Sequence, residues 1–313
     1  MAAIKKPNWR LIIRWAGTIL SILLLIHLVI TLGQEQFLNS IQQLSGKNIL
    51  LVILLIYASR LATFARWHVL LQVEDMYVNW KDSLRLTFAG LFAANFLPST
   101  IGGDVVRLAG AMRIGIRGPL AAASLIVDRL IGMFGMATML PFALGPLSTL
   151  IQSQASLSKP FTNALTVSPV FIRLWHKLRT SIFKIVEALR FWYRHPLILA
   201  YALVFTFVHM TATFLILQIL VADMGESISF IRVAGLWSLI YFITLVPISI
   251  NGLGLQEITI ATILPMFGGI SHATSLSAAL VLRGLWIVGS LPGAFFVAGI
   301  ISGKPNHFNI RQT

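Results

Sequence analysis

Repeated apolar runs, several as long as a bilayer is thick, constrain the fold of this chain more than any other feature. A helix needs roughly 20 apolar residues to cross the hydrocarbon core. Long runs occupy about 11–32, 49–71, 119–144, 197–221, 228–246 and 274–301, and shorter ones occupy 84–97 and 252–267. Backbone in lipid must satisfy its own hydrogen bonds, so we predict an all-α polytopic membrane protein with about six to eight apolar helices.

The charge pattern indicates a membrane partner. Lys and Arg number 24 against 10 Asp and Glu, which gives a net charge of +14 in a chain that is 57% hydrophobic. The bases cluster between the apolar runs, as cytoplasmic loops and segments facing anionic headgroups do, and this argues against nucleic acid as a partner. The chain has no cysteine, which excludes disulfides, cysteine-ligated zinc and thiol catalysis.

Two polar stretches, 95–107 and 247–257, interrupt the apolar sequence. Each combines proline, serine, glycines and an acid, which an ordinary spanning helix would not tolerate. Broken backbone at membrane depth must line a cavity or be buried in protein, so we predict two broken or re-entrant helical segments that form one site. The residues assigned to it are Asn95, Pro98, Ser99, Gly102, Gly103, Asp104 and Arg107 from the first stretch, and Pro247, Ser249, Asn251, Gly252, Gly254 and Glu257 from the second.

The doubled motif indicates an internal repeat within a single transmembrane domain, 1–313. We place repeat 1 at about 48–145 and repeat 2 at about 197–301, with chance similarity among apolar runs as the alternative. The Lys and Arg bias predicts that both termini are cytoplasmic and that the repeats are inverted, although the chain shows no convincing return span between 141 and 172. Between the repeats, 168–195 is either an amphipathic helix at the membrane surface or a solvated connector docked on the bundle.

Charged residues within the apolar runs are expected to pair, because an unpaired charge in hydrocarbon is costly. Asp104 and Arg107 are three residues apart and would share a helix face, so we expect each to depend on the other. Asp128 cannot reach its neighbour Arg129 on the same helix, and Arg107 or Arg283 is its natural partner. We therefore add Asp128, Arg129 and Arg283 to the site, with a purely structural ion pair as the alternative for Asp128 and Arg129.

The glycines and the neutral polar side chains of these stretches each have two interpretations. The glycines either present backbone N–H groups to an anion such as phosphate or allow close helix packing. The Asn and Ser side chains bind either a headgroup or the carbonyls freed at the breaks. For Arg60 and Arg66 we favour snorkelling to the inner membrane interface. No catalytic residue, metal site or cofactor is predicted.

The order and spacing of these motifs resemble a known family. The pattern Asn95-x-Leu-Pro-x-x-x-Gly-Gly-Asp-x-x-Arg107, followed by Asp128-Arg129, Pro247-x-Ser-x-x-Gly252 and Arg283, is similar to the flippase-like family built on the transmembrane region of lysylphosphatidylglycerol synthetase. The resemblance implies a helical membrane domain that moves a lipid between leaflets. No segment resembles the aminoacyl-transferase domain of the bifunctional members, so we expect a stand-alone protein without lipid aminoacylation.

The leading hypothesis is therefore a flippase or transporter for a phosphate-bearing lipid or a lipid-linked glycan. It predicts membrane phospholipid or lipid-linked sugar as the partner and a multi-pass location in a bacterial or archaeal plasma or inner membrane. One alternative is an integral-membrane enzyme of lipid metabolism that uses intramembrane carboxylates. The other is a non-catalytic partner of a lipid- or glycan-modifying enzyme.

Overall fold

The computed structural model describes residues 42–73, 78–95, 97, 102–143, 192–246 and 252–301, together with Leu23 and Asn39. Within these residues the chain forms helices and connecting turns and no strand. The prediction of an all-α fold is confirmed. The apolar run 11–32, apart from Leu23, and most of the connector 168–195 lie outside the described residues.

The described helices are numbered in chain order. They are α1 (Gly46–Leu71), α2 (Trp80–Ala94), α3 (Gly102–Arg113), α4 (Gly118–Met139), α5 (Pro196–Asp223), α6 (Phe230–Thr244), α7 (Leu255–Ile263, followed by a π-helical turn Leu264–Gly268), α8 (His272–Ser290) and, after a 3₁₀ turn at Leu291–Gly293, α9 (Ala294–Ile301).

Four helical stretches are long and apolar enough to cross a membrane, which confirms the polytopic prediction. They are Gly46–Leu71, Gly118–Ala143, Pro196–Asp223 and His272–Val297. The run 228–246 was predicted to be long enough to span, but α6 has only 15 residues. Helix α6 ends at Thr244, shortly before Pro247, and the residue before a proline is disfavoured in helical geometry.

Helices α1 and α5 pack side by side along much of their length. Their ends are joined where Asp223 accepts hydrogen bonds from the backbone N–H of Ser45 (2.6 Å) and the Nδ2 of Asn48 (2.7 Å). Near the other end of α1, the indole Nε1 of Trp192 donates to the carbonyl of Leu70 (3.0 Å). This end of the predicted connector is therefore docked on the bundle.

Helix α2 meets α3 almost backbone to backbone. A Cβ atom on Gly103 would lie 2.5 Å from the carbonyl oxygen of Gly90, and one on Gly90 would lie 2.7 Å from Cγ of Arg107. On another side of α2, a Cβ on Gly293 would lie 2.0 Å from the carbonyl of Phe88. Only glycine fits at such contacts. Gly90 and Gly103 therefore set how α3 and its charged residues lie against α2, and Gly293 sets how the turn after α8 lies against α2.

Candidate functional site

Both polar stretches coincide with breaks between described helices. Helix α2 ends at Ala94 and α3 begins at Gly102, with Asp104 in its first turn. Helix α6 ends at Thr244 and α7 begins at Leu255, with Glu257 in its first turn. A carboxylate in the first turn of a helix is stabilised by the unsatisfied backbone N–H groups there, so each break ends in a favourable place for an acid.

A chain of ion pairs with alternating charge joins three helices of the bundle. Arg66 on α1 donates through Nε to Asp128 on α4 (2.6 Å), and Arg107 on α3 donates to the other carboxylate oxygen of Asp128 (3.2 Å). Arg107 also donates to Asp104 in its own helix (3.2 Å), and the second oxygen of Asp104 accepts from Nε of Arg129. The order along this network is thus Arg66, Asp128, Arg107, Asp104, Arg129.

The network is buried at one end and accessible at the other. The side chain of Asp128 is 4% exposed, that of Asp104 is 16% exposed and that of Arg129 is 41% exposed. Three arginines and two aspartates leave one positive charge in excess within the network. Such a buried cluster persists only if its members satisfy one another, which the alternating order achieves.

Arg107 occupies the middle of the network. Its guanidinium carbon lies 4.2 Å from the ring centroid of Trp67, a cation–π distance, and Trp67 is held in turn by a hydrogen bond to Ser124 (3.1 Å). The Nε and Nη2 of Arg107 are buried and have no hydrogen-bond partner within the described part of the chain. The ring of Trp67 compensates the guanidinium of Arg107 only in part, so its Nε and Nη2 remain as hydrogen-bond donors without an acceptor in this part of the chain.

The second break carries a similar pair. The backbone N–H of Gly254, which has a φ of 77°, donates to Glu257 (2.7 Å), and Arg283 on α8 donates to the other oxygen of Glu257. Arg283 also reaches the side-chain oxygen of Gln256 (3.2 Å). In each half of the chain, a carboxylate just after the break thus pairs with an arginine on the helix that follows.

Two polar cavities adjoin these pairs. One, of about 320 Å³, is lined by Ser59, Arg60, Arg129, Met136, His209, Thr213, Trp237, Tyr241, Thr244, Leu245, Gly252, Gln256 and Trp286. The other, of about 170 Å³, is lined by Thr63, Thr87, Gly90, Leu91, Ala94, Gly103, Asp104, Arg107 and Arg129. We call them the large and the small cavity. Arg129 lines both, and the large cavity is also lined by Gly252 and Gln256 from the second stretch.

The structure brings some of the predicted residues together as expected. Asp104 and Arg107 pair within one helix, and Asp128 pairs with Arg107 rather than with its neighbour Arg129. The alternative partner for Asp128, Arg283, was wrong, because Arg283 pairs with Glu257.

Other predicted residues have different roles or are not described. The Nδ2 of Asn95 donates to the hydroxyl of Ser290 (2.7 Å) and so links α2 to α8. Gly103 serves close helix packing, and the N–H of Gly254 is taken by Glu257, so neither matches the simple picture of N–H groups held open for an anion. Gly102 begins α3. Five predicted residues lie outside the described part of the chain: Pro98, Ser99, Pro247, Ser249 and Asn251.

Sequence reasoning missed two arginines of the site. Snorkelling was wrong for Arg66, which is 8% exposed and bonded to Asp128 and Thr206. It was also wrong for Arg60, which lines the large cavity with its guanidinium 6.0 Å from the ring of Trp286. The position of Arg60 argues against snorkelling, because it lies near the middle of a 26-residue helix, about 16 Å or more from either end.

The chain is similar to a known family of membrane proteins. A family model described as the lysylphosphatidylglycerol synthase TM region matches residues 14–293 of the 313-residue chain. The match confirms the resemblance drawn from the motifs. No curated protein is significantly similar to the chain. Among the described residues, no group of three His, Asp or Glu side chains is placed to hold a metal ion.

Proposed function

The chain belongs to the family of the lysylphosphatidylglycerol synthase transmembrane region, a lipid-related family of membrane proteins, and we propose that it moves a phosphate-bearing lipid or a lipid-linked glycan between leaflets. The proposal is that the headgroup crosses through the polar cavities while the acyl chains stay in lipid. Charged groups inside a membrane bundle are costly and therefore usually mark a substrate or ion path.

One observation carries the proposal. The ion-pair network has one arginine more than it has aspartates, and its most exposed member, Arg129, lines both cavities. The excess charge is thereby placed where a headgroup would meet it. An arginine supplies charge-assisted hydrogen bonds that suit phosphate oxygens, and the aspartates hold the arginines in place when no lipid is bound.

The arrangement also suggests how a headgroup passes. Asp104 and a lipid phosphate compete for the same face of Arg129, so binding would exchange one anion for another without leaving a buried charge unpaired. The analogous pair of Glu257 and Arg283 supports treating 48–145 and 197–301 as repeats that form the two sides of one path. We propose that the repeats are inverted and that both termini face the cytoplasm of a multi-pass cell-membrane protein.

Leaflet exchange is tested by reconstitution. The purified chain is placed in liposomes that contain a fluorescent phosphatidylglycerol, and dithionite bleaches the label that reaches the outer leaflet. We expect exchange by the wild type, slow exchange by R129Q, and unchanged exchange by R113Q, which alters an exposed arginine at the end of α3. Lipids that emerge with a changed mass would favour the enzyme alternative, and wild-type liposomes without exchange would refute the proposal.

Topology is tested separately. Because the chain has no cysteine, single introduced cysteines report membrane sidedness without background. We expect R113C to be labelled by an impermeant maleimide only from the cytoplasmic side, and S227C only from the outside. Labelling of both from one side would contradict the inverted arrangement.

A further inference from the structure

We propose that the large cavity is a headgroup site selective for a lipid phosphate whose substituent carries hydroxyls and no cationic amine. This inference rests on the proposed function and adds the substrate class. Its central residue is Arg60, which belongs neither to the ion-pair network nor to the predicted site. The cavity volume of about 320 Å³ falls in the range of small-ligand pockets and fits a headgroup rather than acyl chains.

The charge of the lining selects for an anion. Arg60 and Arg129 line the cavity, and none of the described residues around it is acidic. Arg129 is compensated by Asp104, whereas the buried Nε of Arg60 has no hydrogen-bond partner in the described part of the chain. An arginine that lines a cavity with no acidic partner among the described residues is incompletely compensated, so a phosphate in the cavity gains a charge-assisted hydrogen bond from it and supplies the missing negative charge. A headgroup amine would instead meet two arginines of like charge.

Aromatic rings hold Arg60 in this position. Its guanidinium lies over Trp286, which packs edge to face on Trp237 with ring centroids 5.7 Å apart. Both rings line the cavity together with Tyr241. The ring of Trp286, packed on Trp237, thus offers the guanidinium of Arg60 a favourable cation–π surface beside the cavity.

The polar groups of the lining suit hydroxyls. The hydroxyl of Thr213 donates to the carbonyl of His209 (2.9 Å), and that of Thr244 donates to the carbonyl of Tyr241 (2.8 Å). With their protons used within their own helices, these two oxygens remain as acceptors for a ligand. Gln256 accepts from Arg283 through its oxygen, which leaves its amide N–H groups as donors. Acceptors and neutral donors around one cation match a glycerol or sugar phosphate.

The experiment measures binding and therefore does not depend on transport. The full chain in detergent is titrated with phosphatidylglycerol, lysyl-phosphatidylglycerol and soluble glycerol 3-phosphate. We expect the wild type to bind phosphatidylglycerol on the order of tenfold more tightly than the lysylated lipid, because the lysyl ammonium would meet the like charges of Arg60 and Arg129. R60Q should reduce the ratio to near one, and R113Q should leave it unchanged.

Equal wild-type affinity for the two lipids, or a ratio that R60Q does not change, would overturn the inference. Glycerol 3-phosphate binding as tightly as phosphatidylglycerol would overturn the lipid assignment and point to a soluble phosphate ester. If R60Q does not fold, W286L answers the question, since it removes the ring beneath Arg60 and keeps the charge. Its affinity for phosphatidylglycerol should fall, and an unchanged affinity would count against the site.

Failure of this inference is distinguishable from failure of the proposed function. Selective binding without leaflet exchange would leave the site in place and remove the transport proposal. Leaflet exchange that does not distinguish the two lipids would keep the transport proposal and remove the selective site.

Discussion

Arg66 and Asp128 stand 62 positions apart in the chain, yet Nε of the arginine donates a 2.6 Å hydrogen bond to the carboxylate. The carboxylate accepts from Arg107 as well, so one acid compensates two arginines from different helices. Asp104 also pairs with two arginines, but the side chain of Arg66, which has Asp128 as its acid, is 10% exposed, whereas that of Arg129, which has Asp104, is 41% exposed. Removing Asp128 therefore strands the more deeply buried charge.

The first prediction compares D128N with R66M. D128N leaves Arg66 and Arg107 close together without their shared acid, and should lower the free energy of unfolding by about 3–5 kcal/mol. R66M should cost less, because Asp128 keeps Arg107. Equilibrium unfolding in mixed detergent micelles measures both. Equal losses for the two variants would show that Asp128 does not have this central role.

The second prediction concerns R107M. The sequence predicted that removing Arg107 would strand Asp104, but the structure gives Asp104 a second partner in Arg129 and gives Asp128 a second partner in Arg66. R107M therefore leaves two neutral pairs and should fold about as well as the wild type. It removes the excess positive charge, so leaflet exchange should fall on the order of tenfold, as for a lost charge-assisted contact.

Two comparisons sharpen the test of Arg107. R107K should recover part of the exchange rate, since an ammonium supplies the charge without the planar fork. R113M, at the exposed end of the same helix, is the matched control and should exchange lipid normally. A well-folded R107M protein with a wild-type exchange rate would remove Arg107 from the lipid path.

The third prediction tests the close approach of α2 and α3. An added methyl at Gly103 would lie 2.5 Å from the carbonyl oxygen of Gly90, so G103A should separate the helices, cost about 1–3 kcal/mol and displace Asp104 and Arg107. G284A is the control, because nothing lies within 4 Å of the added methyl there. Replacing glycine by alanine in an open helical position should be neutral or stabilise by up to about 1 kcal/mol. Thermal unfolding and exchange rate should both separate the two variants.

The fourth prediction is a double-mutant cycle on Glu257 and Arg283. E257Q keeps an acceptor for the N–H of Gly254 but leaves Arg283, whose side chain is 15% exposed, without its acid. R283M leaves Glu257 unpaired, whereas the double variant leaves no charge at all. We expect a coupling free energy of about 1–3 kcal/mol from unfolding measurements. Additive effects would show that the pair does not stabilise this half of the bundle.

The fifth prediction concerns pH and the loop before α6. Partial burial acts to raise the pKa of Glu226, but hydrogen bonds from Ser271 and Thr274 outweigh it and lower that pKa below its ordinary value. A lowered folded-state pKa contributes stability above the unfolded value and loses it as the pH falls through the folded value. The wild type should therefore lose stability between about pH 5 and pH 3 more steeply than E226Q. The melting temperature of both proteins is measured across that pH range. An equal decrease in the two proteins would contradict the prediction.

Much of the fold was accessible from the sequence, because the determining forces are local or set by the bilayer. The length of an apolar run decides whether a helix can span, and the prolines at 98 and 247 predict breaks that the described helix ends bracket. Asp104 and Arg107 could be paired in advance because three residues along a helix place two side chains on one face.

The sequence could not single out each partner across helices. It offered Arg107 and Arg283 for Asp128, whereas the packing of α1 against α4 adds Arg66 and the packing of α7 against α8 directs Arg283 to Glu257. Which of several buried arginines reaches a given acid depends on helix rotation and separation, and these are set by contacts such as that between Gly90 and Gly103.

The sequence by itself therefore determined that this protein is a helical membrane bundle with broken segments and charges that must be compensated. The tertiary structure alone decided that Arg60 faces a cavity instead of the membrane interface and that Arg129 joins the two cavities. The physical reason is that desolvation makes every intramembrane charge require a partner, but only the packed arrangement of the helices determines which partner each charge finds.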